Sequence, residues 1–459
     1  MSCRCLMNYI ISFQSKKVNW NLSLMNCWIK LINKLKNIAN TEDKTRLLSN
    51  FYSLSTLQVF TYILPLLTLP YLVRVLGTEK FGLVMFAQSF IMFFNIFVDY
   101  GFNLSATREI SVNREDKVKL TEIFSSVMSI KLILIGISFT TLSIIIFSFD
   151  KFSNNIDLYY LTFLWVIGQA LFPIWYFQGL EEMKYITIVN ITSKLIFTIA
   201  IFIFIQNEGD YILVPILNGL GFIIGGILSL WIVHTDFNQR FRIQPFKILI
   251  MYFKDSSQFF LSRLSSVGYS NANTFLSGIL LPPIFVTYYY LADKAVSVIL
   301  ALFSPVVQTI YPYLAKKFSF NFLVKLLSIL MAVSLFVVSL GYLFSDLISI
   351  ILLDEINDTF KKLFYVILPI IPISILYVML GAPLLLARGY KKEFNLSIIY
   401  GFVIHLLLLA ILYYYFTINP DLQSYILILF AISLVFSKFI VLLIRIYYVY
   451  INKLYKKSF

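Results

Sequence analysis

Five basic side chains lie inside long apolar stretches of the sequence: Lys131, Lys194, Arg263, Lys294 and Lys438. Two acids share that setting, Asp293 and, near the end of its stretch, Asp99. A charge at the centre of a bilayer-spanning helix costs roughly 2.5–3.5 kcal/mol on insertion scales, so each one calls for a use. Their sum is positive, which suits an anionic ligand; a carrier of metal cations or cationic drugs would be expected to show the opposite sign. Arg263 is accompanied by Ser266, Ser270, Asn273 and Ser277, spaced by three and four residues and therefore on one helical face. Asn50, Gln58, Thr61 and Thr68 repeat the pattern in a stretch broken by Pro65 and Pro70, and Gln88, Asn95 and Asp99 share another face. Asp293, Ser297, Ser304 and Gln308 form a fourth, with Lys294 about 100° away from Asp293 and unable to pair with it. Polar stripes of this kind belong toward water rather than lipid, so these four stretches are expected to line a cavity.

Each charge also has a plainer use. Lys131 and Lys194 can reach the inner leaflet surface or cap a neighbouring helix, and Lys438 can serve packing. Asp99 is expected to pair with basic loop residues such as Arg108. Pro65, Pro70, Pro305, Pro312, Pro369, Pro372 and Pro383 read as kinks, and Gly221-x-x-x-Gly225 as a close helix contact. No Gly-x-x-x-x-Gly-Lys-Ser/Thr motif occurs, and the external loop near Glu79 lacks the paired carboxylates a glycosyltransferase needs. Cys3, Cys5 and Cys27 have no distant partners for a metal site, and His234 and His405 are far apart. The residues describe a transporter without metal or cofactor.

The stretches that position these side chains dominate the chain. Of 459 residues, 59% are hydrophobic, 17% aromatic and 13% charged, with mean hydropathy +0.83. That is about half the charge of a soluble domain and excludes one. At about 20 residues per crossing, twelve spans are expected: 50–73, 81–103, 124–148, 158–178, 185–206, 211–233, 255–281, 284–312, 322–345, 363–387, 395–416 and 422–446. With the N-terminus inside, the cytoplasmic segments hold 27 of the 37 Lys and Arg, counting Lys325 and Arg445, at span ends, with the adjoining cytoplasmic segments, and the external loops hold 5. That asymmetry predicts that both termini are cytoplasmic, and it explains the net charge of +14 without nucleic acid.

The expected organisation is a basic N-terminal segment, 1–46, a lobe of six spans over 47–234, a cytoplasmic linker at 235–247, a second lobe over 248–450 and a tail at 451–459. A shift of 210 residues lays the first six spans on the last six, so the two lobes form a parallel repeat with a cavity between them. Residues 25–46 read as a basic amphipathic stretch on the inner leaflet, or Met25 is the true start; no secretory signal peptide precedes the first span.

The run from Leu64-Pro65-Leu66-Leu67-Thr68-Leu69-Pro70 through Tyr71-Leu72-Val73-Arg74-Val75-Leu76-Gly77, then Phe81-Gly82, resembles the first-span signature of Wzx-type O-antigen flippases. Asp99-Tyr100-Gly101-Phe102-Asn103-Leu104-Ser105-Ala106-Thr107-Arg108 is similar to their most characteristic segment, and Pro173-x-Trp175-x-Phe177-Gln178-Gly179 also fits. The resemblance covers about residues 46–450, is closer in the first half, and leaves residues 1–45 outside the pattern. It implies the multidrug/oligosaccharidyl-lipid/polysaccharide exporter fold, an all-α, MATE-like membrane protein of a bacterial inner membrane. It also implies an undecaprenyl-pyrophosphate-linked oligosaccharide as substrate.

On that reading Arg263 and Lys294 hold the pyrophosphate, with Arg74 and Arg108 as secondary contacts near the two faces. Gln58, Thr61, Asn95, Ser266, Ser270, Asn273 and Tyr290 line the cavity, with the rings of Tyr288, Tyr289 and Tyr290 available to stack on sugars. Asp99 and Asp293 are the candidates for ion coupling. Other partners are membrane lipids and the polymerase and chain-length regulator of the same pathway. The rivals are a multidrug antiporter, a lipid II flippase and a polysaccharide polymerase or glycosyltransferase.

Overall fold

The computed structural model describes residues 42–316, 318–418 and 421–454. Most of the basic N-terminal segment and the end of the tail lie outside the described residues, as do the side chains of Asn50, Ser270, Pro305, Gln308 and Pro312. The chain divides into two compact units, 1–55 and 56–459. The described part of the first, residues 42–55, is helical.

No strand occurs among the described residues. Apolar stretches in lipid must satisfy every backbone group internally, and helices do so within one segment. Helix α1 (Glu42–Asp99) is interrupted at Gly77, whose φ of 71° and ψ of 163° divide it into two limbs. Then follow α2 (Phe102–Val112), α3 (Lys117–Ser148), α4 (Asp150–Ser153), α5 (Ile156–Leu171), α6 (Ile174–Gly179), α7 (Met183–Phe204) and α8 (Leu213–Thr235). The remainder comprises α9 (Phe246–Leu280), α10 (Pro283–Lys316), α11 (Phe320–Leu343), α12 (Ser345–Leu353), α13 (Asp358–Ile367), α14 (Ile370–Leu380), α15 (Lys391–Ile418) and α16 (Gln423–Ile451). A π-helical turn, Gly381–Leu386, continues α14 and contains Pro383. Pro173 separates α5 from α6, and α12 is a short helix where the sequence suggested an external loop.

Ten helical runs among the described residues are long and apolar enough to cross a membrane. One of them, Thr56–Val112, includes the Gly77 break, and the Ser- and Asn-rich α9 is not among the ten. The chain is an all-α, multi-pass membrane protein.

Neighbouring helices run in directions consistent with successive crossings. Tyr71 donates to the Ile205 carbonyl at 2.7 Å and Lys194 donates to Thr61 at 2.7 Å, so residues 61–71 of α1 run parallel to α7. Ring contacts between Phe90 and Tyr159 (5.9 Å) and between Phe94 and Phe163 (6.4 Å) set the second limb parallel to α5. The same limb is antiparallel to α9, where Phe90 stacks on Phe275 at 5.5 Å and Tyr100 on Phe253 at 4.2 Å. A Cβ on Gly225 would fall 2.0 Å from the Ser193 hydroxyl, so the Gly-x-x-x-Gly face of α8 packs against α7 as expected.

The characteristic segment around residue 100 acquires a physical meaning here. Tyr100 (φ 43°) and Gly101 (φ 79°) are both left-handed and end α1 immediately after Asp99. A Cβ at residue 101 would lie 2.9 Å from the Phe259 Cβ and the Phe260 nitrogen. Gly101→Ala therefore combines backbone strain with overpacking, an expected destabilisation of about 1–3 kcal/mol. It should appear as a lowered thermal midpoint of the purified protein, and an unchanged midpoint would contradict the assignment.

Candidate functional site

The charged residues fall into two groups. The first is built where α1, α3 and α9 meet. Asp99 accepts a hydrogen bond from Asn103 at 2.8 Å, lies 3.7 Å from the Lys131 ammonium, and faces the Arg263 Nε at 3.9 Å. Lys131 is 4% exposed, which overturns the expectation that it reaches the leaflet surface. Asp99 is likewise paired with buried helices rather than with Arg108. Beside the three charges lies a cavity of about 100 Å³, lined also by Asn95, Asn103 and Gln169. Arg263 is 46% exposed, and Asp99 Oδ2, the oxygen facing it, makes no hydrogen bond. One loose contact leaves most of the five guanidinium donors available.

The second group crosses α1, α7, α10 and α16. Lys194 donates to Thr61 and repels Lys294 electrostatically. Asp293 interacts electrostatically with Lys294 and, across to α16, with Lys438. Tyr290, half-buried, meets the edge of the Phe81 ring at 6.0 Å, and Gln58 is also half-buried.

Asn273 stands apart from the cavity expected of it. It is 0% exposed and donates to the Tyr289 hydroxyl at 2.7 Å and to the Phe430 carbonyl at 2.9 Å, joining α9, α10 and α16. Ten residues beyond Arg263, at about 100° each, place it roughly 80° off the Arg263 direction, so the stripe curls into the bundle. Asn273→Ala should cost about 1–3 kcal/mol in unfolding free energy by orphaning those two groups. A cavity-lining residue would instead alter transport without moving the thermal midpoint. Tyr288 and Tyr289 are buried as well, which removes them as sugar-stacking surfaces in this conformation.

Ser266 lines a cavity of about 260 Å³ together with Lys438 and Arg445. Arg445 went unrecognised in the sequence because it lies in the last turn of the expected span, where it was counted with the tail. In α16 it is 2% exposed and adds one more positive charge to the interior. Arg74 forms an ion pair with Asp354 at 3.2 Å, both well exposed. Arg108 lines a cavity of about 260 Å³ shared with Glu109 and Asp255, acids that offset its charge. Among the described residues, no cluster of His, Cys, Asp or Glu is arranged to hold a metal.

The multi-pass helical bundle shares its fold with solved membrane transporters. The chain is similar to the inward-facing conformation of a multidrug resistance MATE family transporter of the MOP superfamily (TM-score 0.63, 14% identity, 86% of this chain and 96% of that one). It is also similar to the lipid II flippase MurJ in an inward closed conformation (TM-score 0.65, 15% identity, 88% of this chain and 89% of that one). At these identities the likeness concerns the fold alone, and it bears out the MATE-like expectation.

Sequence similarity gives the family. Residues 47–318 match the family described as polysaccharide biosynthesis protein. A relative from Escherichia coli (strain K12), named "Putative O-antigen transporter", is 30% identical over 376 residues, covering 80% of this chain and 90% of the relative. A relative of the same name from Shigella dysenteriae is 27% identical over 361 residues, 77% of this chain and 90% of its own. The chain belongs to the polysaccharide biosynthesis protein family.

Proposed function

We propose that this protein is a flippase that moves lipid-linked polysaccharide repeat units, carried on undecaprenyl pyrophosphate, across a bacterial inner membrane. The observation that carries the reading is the half-exposed Arg263, whose ion-pair contact among the described residues is Asp99 at 3.9 Å, within an interior of excess positive charge. A diphosphate entering a low-dielectric cavity needs cationic donors, and arginine offers it paired hydrogen bonds. Arg263 and Lys294 would take the diphosphate, with Thr61, Asn95 and Tyr290 along its surroundings and the lipid tail left in the bilayer. The names of the relatives and the flippase among the fold neighbours support the same cargo class.

The working topology is twelve crossings in two six-helix lobes, 47–234 and 248–450, with both termini cytoplasmic. The lobes rock about the cargo in alternating access, driven by an ion gradient or the membrane potential. We assign the coupling to Asp99 and Asp293, Asp99 because its Oδ2 faces Arg263 across 3.9 Å and can exchange that contact for a cation while its carboxylate stays charged beside Lys131. A polymerase and a chain-length regulator would receive the flipped unit.

Removing the gene tests the reading. Single lipid-linked repeat units should accumulate facing the cytoplasm, with surface polysaccharide lost. Unpolymerised units on the outer face would instead indicate a polymerase, and unchanged polysaccharide with new drug sensitivity a multidrug exporter.

A further inference from the structure

Among the described residues, the cavity of about 260 Å³ between α9, α14, α15 and α16 has two cations and no acid in its lining. A single water needs only roughly 10–15 Å³ of such space, so the cavity admits something larger. Arg445 is 2% exposed, and its partners among the described residues are neutral: Nε donates to Ser397 at 2.9 Å, Nη1 donates to the Tyr377 carbonyl, and its guanidinium lies 4.9 Å from the Phe394 ring centre and 5.3 Å from that of Tyr377. A buried charge left without a counter-ion is expensive by several kcal/mol.

The backbone is shaped to admit it. The π-helical turn begins at Gly381, where a Cβ would fall 2.2 Å from Arg445 Nη1, and π-turns of this kind recur at functional sites. Lys438 lies two turns earlier on the same face of α16, about 10.5 Å along the axis. It makes no ion pair among the described residues, and Asp293 is its electrostatic neighbour from outside the cavity lining. Ser266 adds a hydroxyl, and the buried Tyr269 hydroxyl approaches Ser437 without reaching full hydrogen-bond geometry.

We infer that this cavity is a phosphate-type oxyanion site, with Lys438 and Arg445 as its charges and Ser266 and Tyr269 as hydroxyl donors. A halide, with one charge at one centre, would leave a cation unmatched; a phosphate or diphosphate brings about two negative charges and several acceptor oxygens. The same chemistry is offered by free phosphate and by a lipid diphosphate headgroup. Neither Arg263 nor Lys294 is in its lining, and the inference does not depend on their assignment.

The test uses the full chain in lipid nanodiscs, titrated with sodium pyrophosphate against sodium chloride at matched ionic strength, with the thermal midpoint as readout. Pyrophosphate should raise the midpoint of the unmodified protein and of the Arg263→Ala/Lys294→Ala double variant. Lys438→Gln should weaken apparent binding about tenfold, the effect of one charge-assisted hydrogen bond, and Lys438→Arg should restore it. The inference fails if pyrophosphate raises no midpoint, or if Lys438→Gln binds it as well as the unmodified chain does. It also fails if the double variant alone loses the response. Adding a polyprenyl diphosphate to the nanodisc separates the sources: competition assigns the site to the lipid headgroup, and its absence to the free anion.

Discussion

Asp99→Ala is expected to destabilise the folded protein by about 3–5 kcal/mol, because it strands Lys131 in the bundle without its counter-ion. The Lys131 side chain is 4% exposed, so water cannot replace the lost carboxylate. The effect should be asymmetric. Lys131→Met leaves Asp99 with the Asn103 hydrogen bond at 2.8 Å and Arg263 nearby, and should be milder. The double variant Asp99→Asn/Lys131→Met should recover most of the loss, since a buried ion pair is often replaced by apolar packing at little cost. Thermal unfolding and membrane yield measure all three. Asp99→Ala behaving like the unmodified protein would mean that Lys131 has another partner.

The second large effect concerns transport. Arg263→Ala combined with Lys294→Ala removes two charge-assisted contacts to the cargo, each worth about 1.5–3 kcal/mol. Surface polysaccharide should fall roughly 100-fold or more in export rate at normal protein level, since about 1.4 kcal/mol corresponds to tenfold. Arg263→Lys should keep part of the activity, because the charge remains while the paired donor geometry is lost. Arg74→Ala should leave stability nearly unchanged, because its ion pair with Asp354 is exposed, 49% and 66%, and is worth at most about 1 kcal/mol. Normal surface polysaccharide in the double variant would remove Arg263 and Lys294 from the anion site.

Helices were readable from the sequence because a span is a local property. The runs at 185–206 and 322–345 reappear as Met183–Phe204 and Phe320–Leu343, and the Gly77 break falls between the first two spans. Partners were not readable, because they depend on which faces meet. Asp99 and Lys131 are 32 positions apart and adjoin only when α1 packs on α3. The Arg263 stripe looked continuous at spacings of three and four, yet small angular errors accumulate over ten residues and turn Asn273 into the core. Arg445 was hidden by a boundary. Helix α16 runs to Ile451, five residues past the expected end at 446, and the tyrosines at 447, 448 and 450 gave no apolar signal to extend it.

The central claim is that this chain alone carries a lipid-linked oligosaccharide across a bilayer. Reconstitution tests it most directly: purified protein in sealed vesicles with a polyprenyl-diphosphate oligosaccharide confined to the inner leaflet, and its appearance outside followed with a membrane-impermeant lectin. Time-dependent appearance above protein-free vesicles, lost in the Arg263→Ala/Lys294→Ala variant, is the predicted result. Appearance no faster than in protein-free vesicles, under an imposed ion gradient and membrane potential, would contradict it.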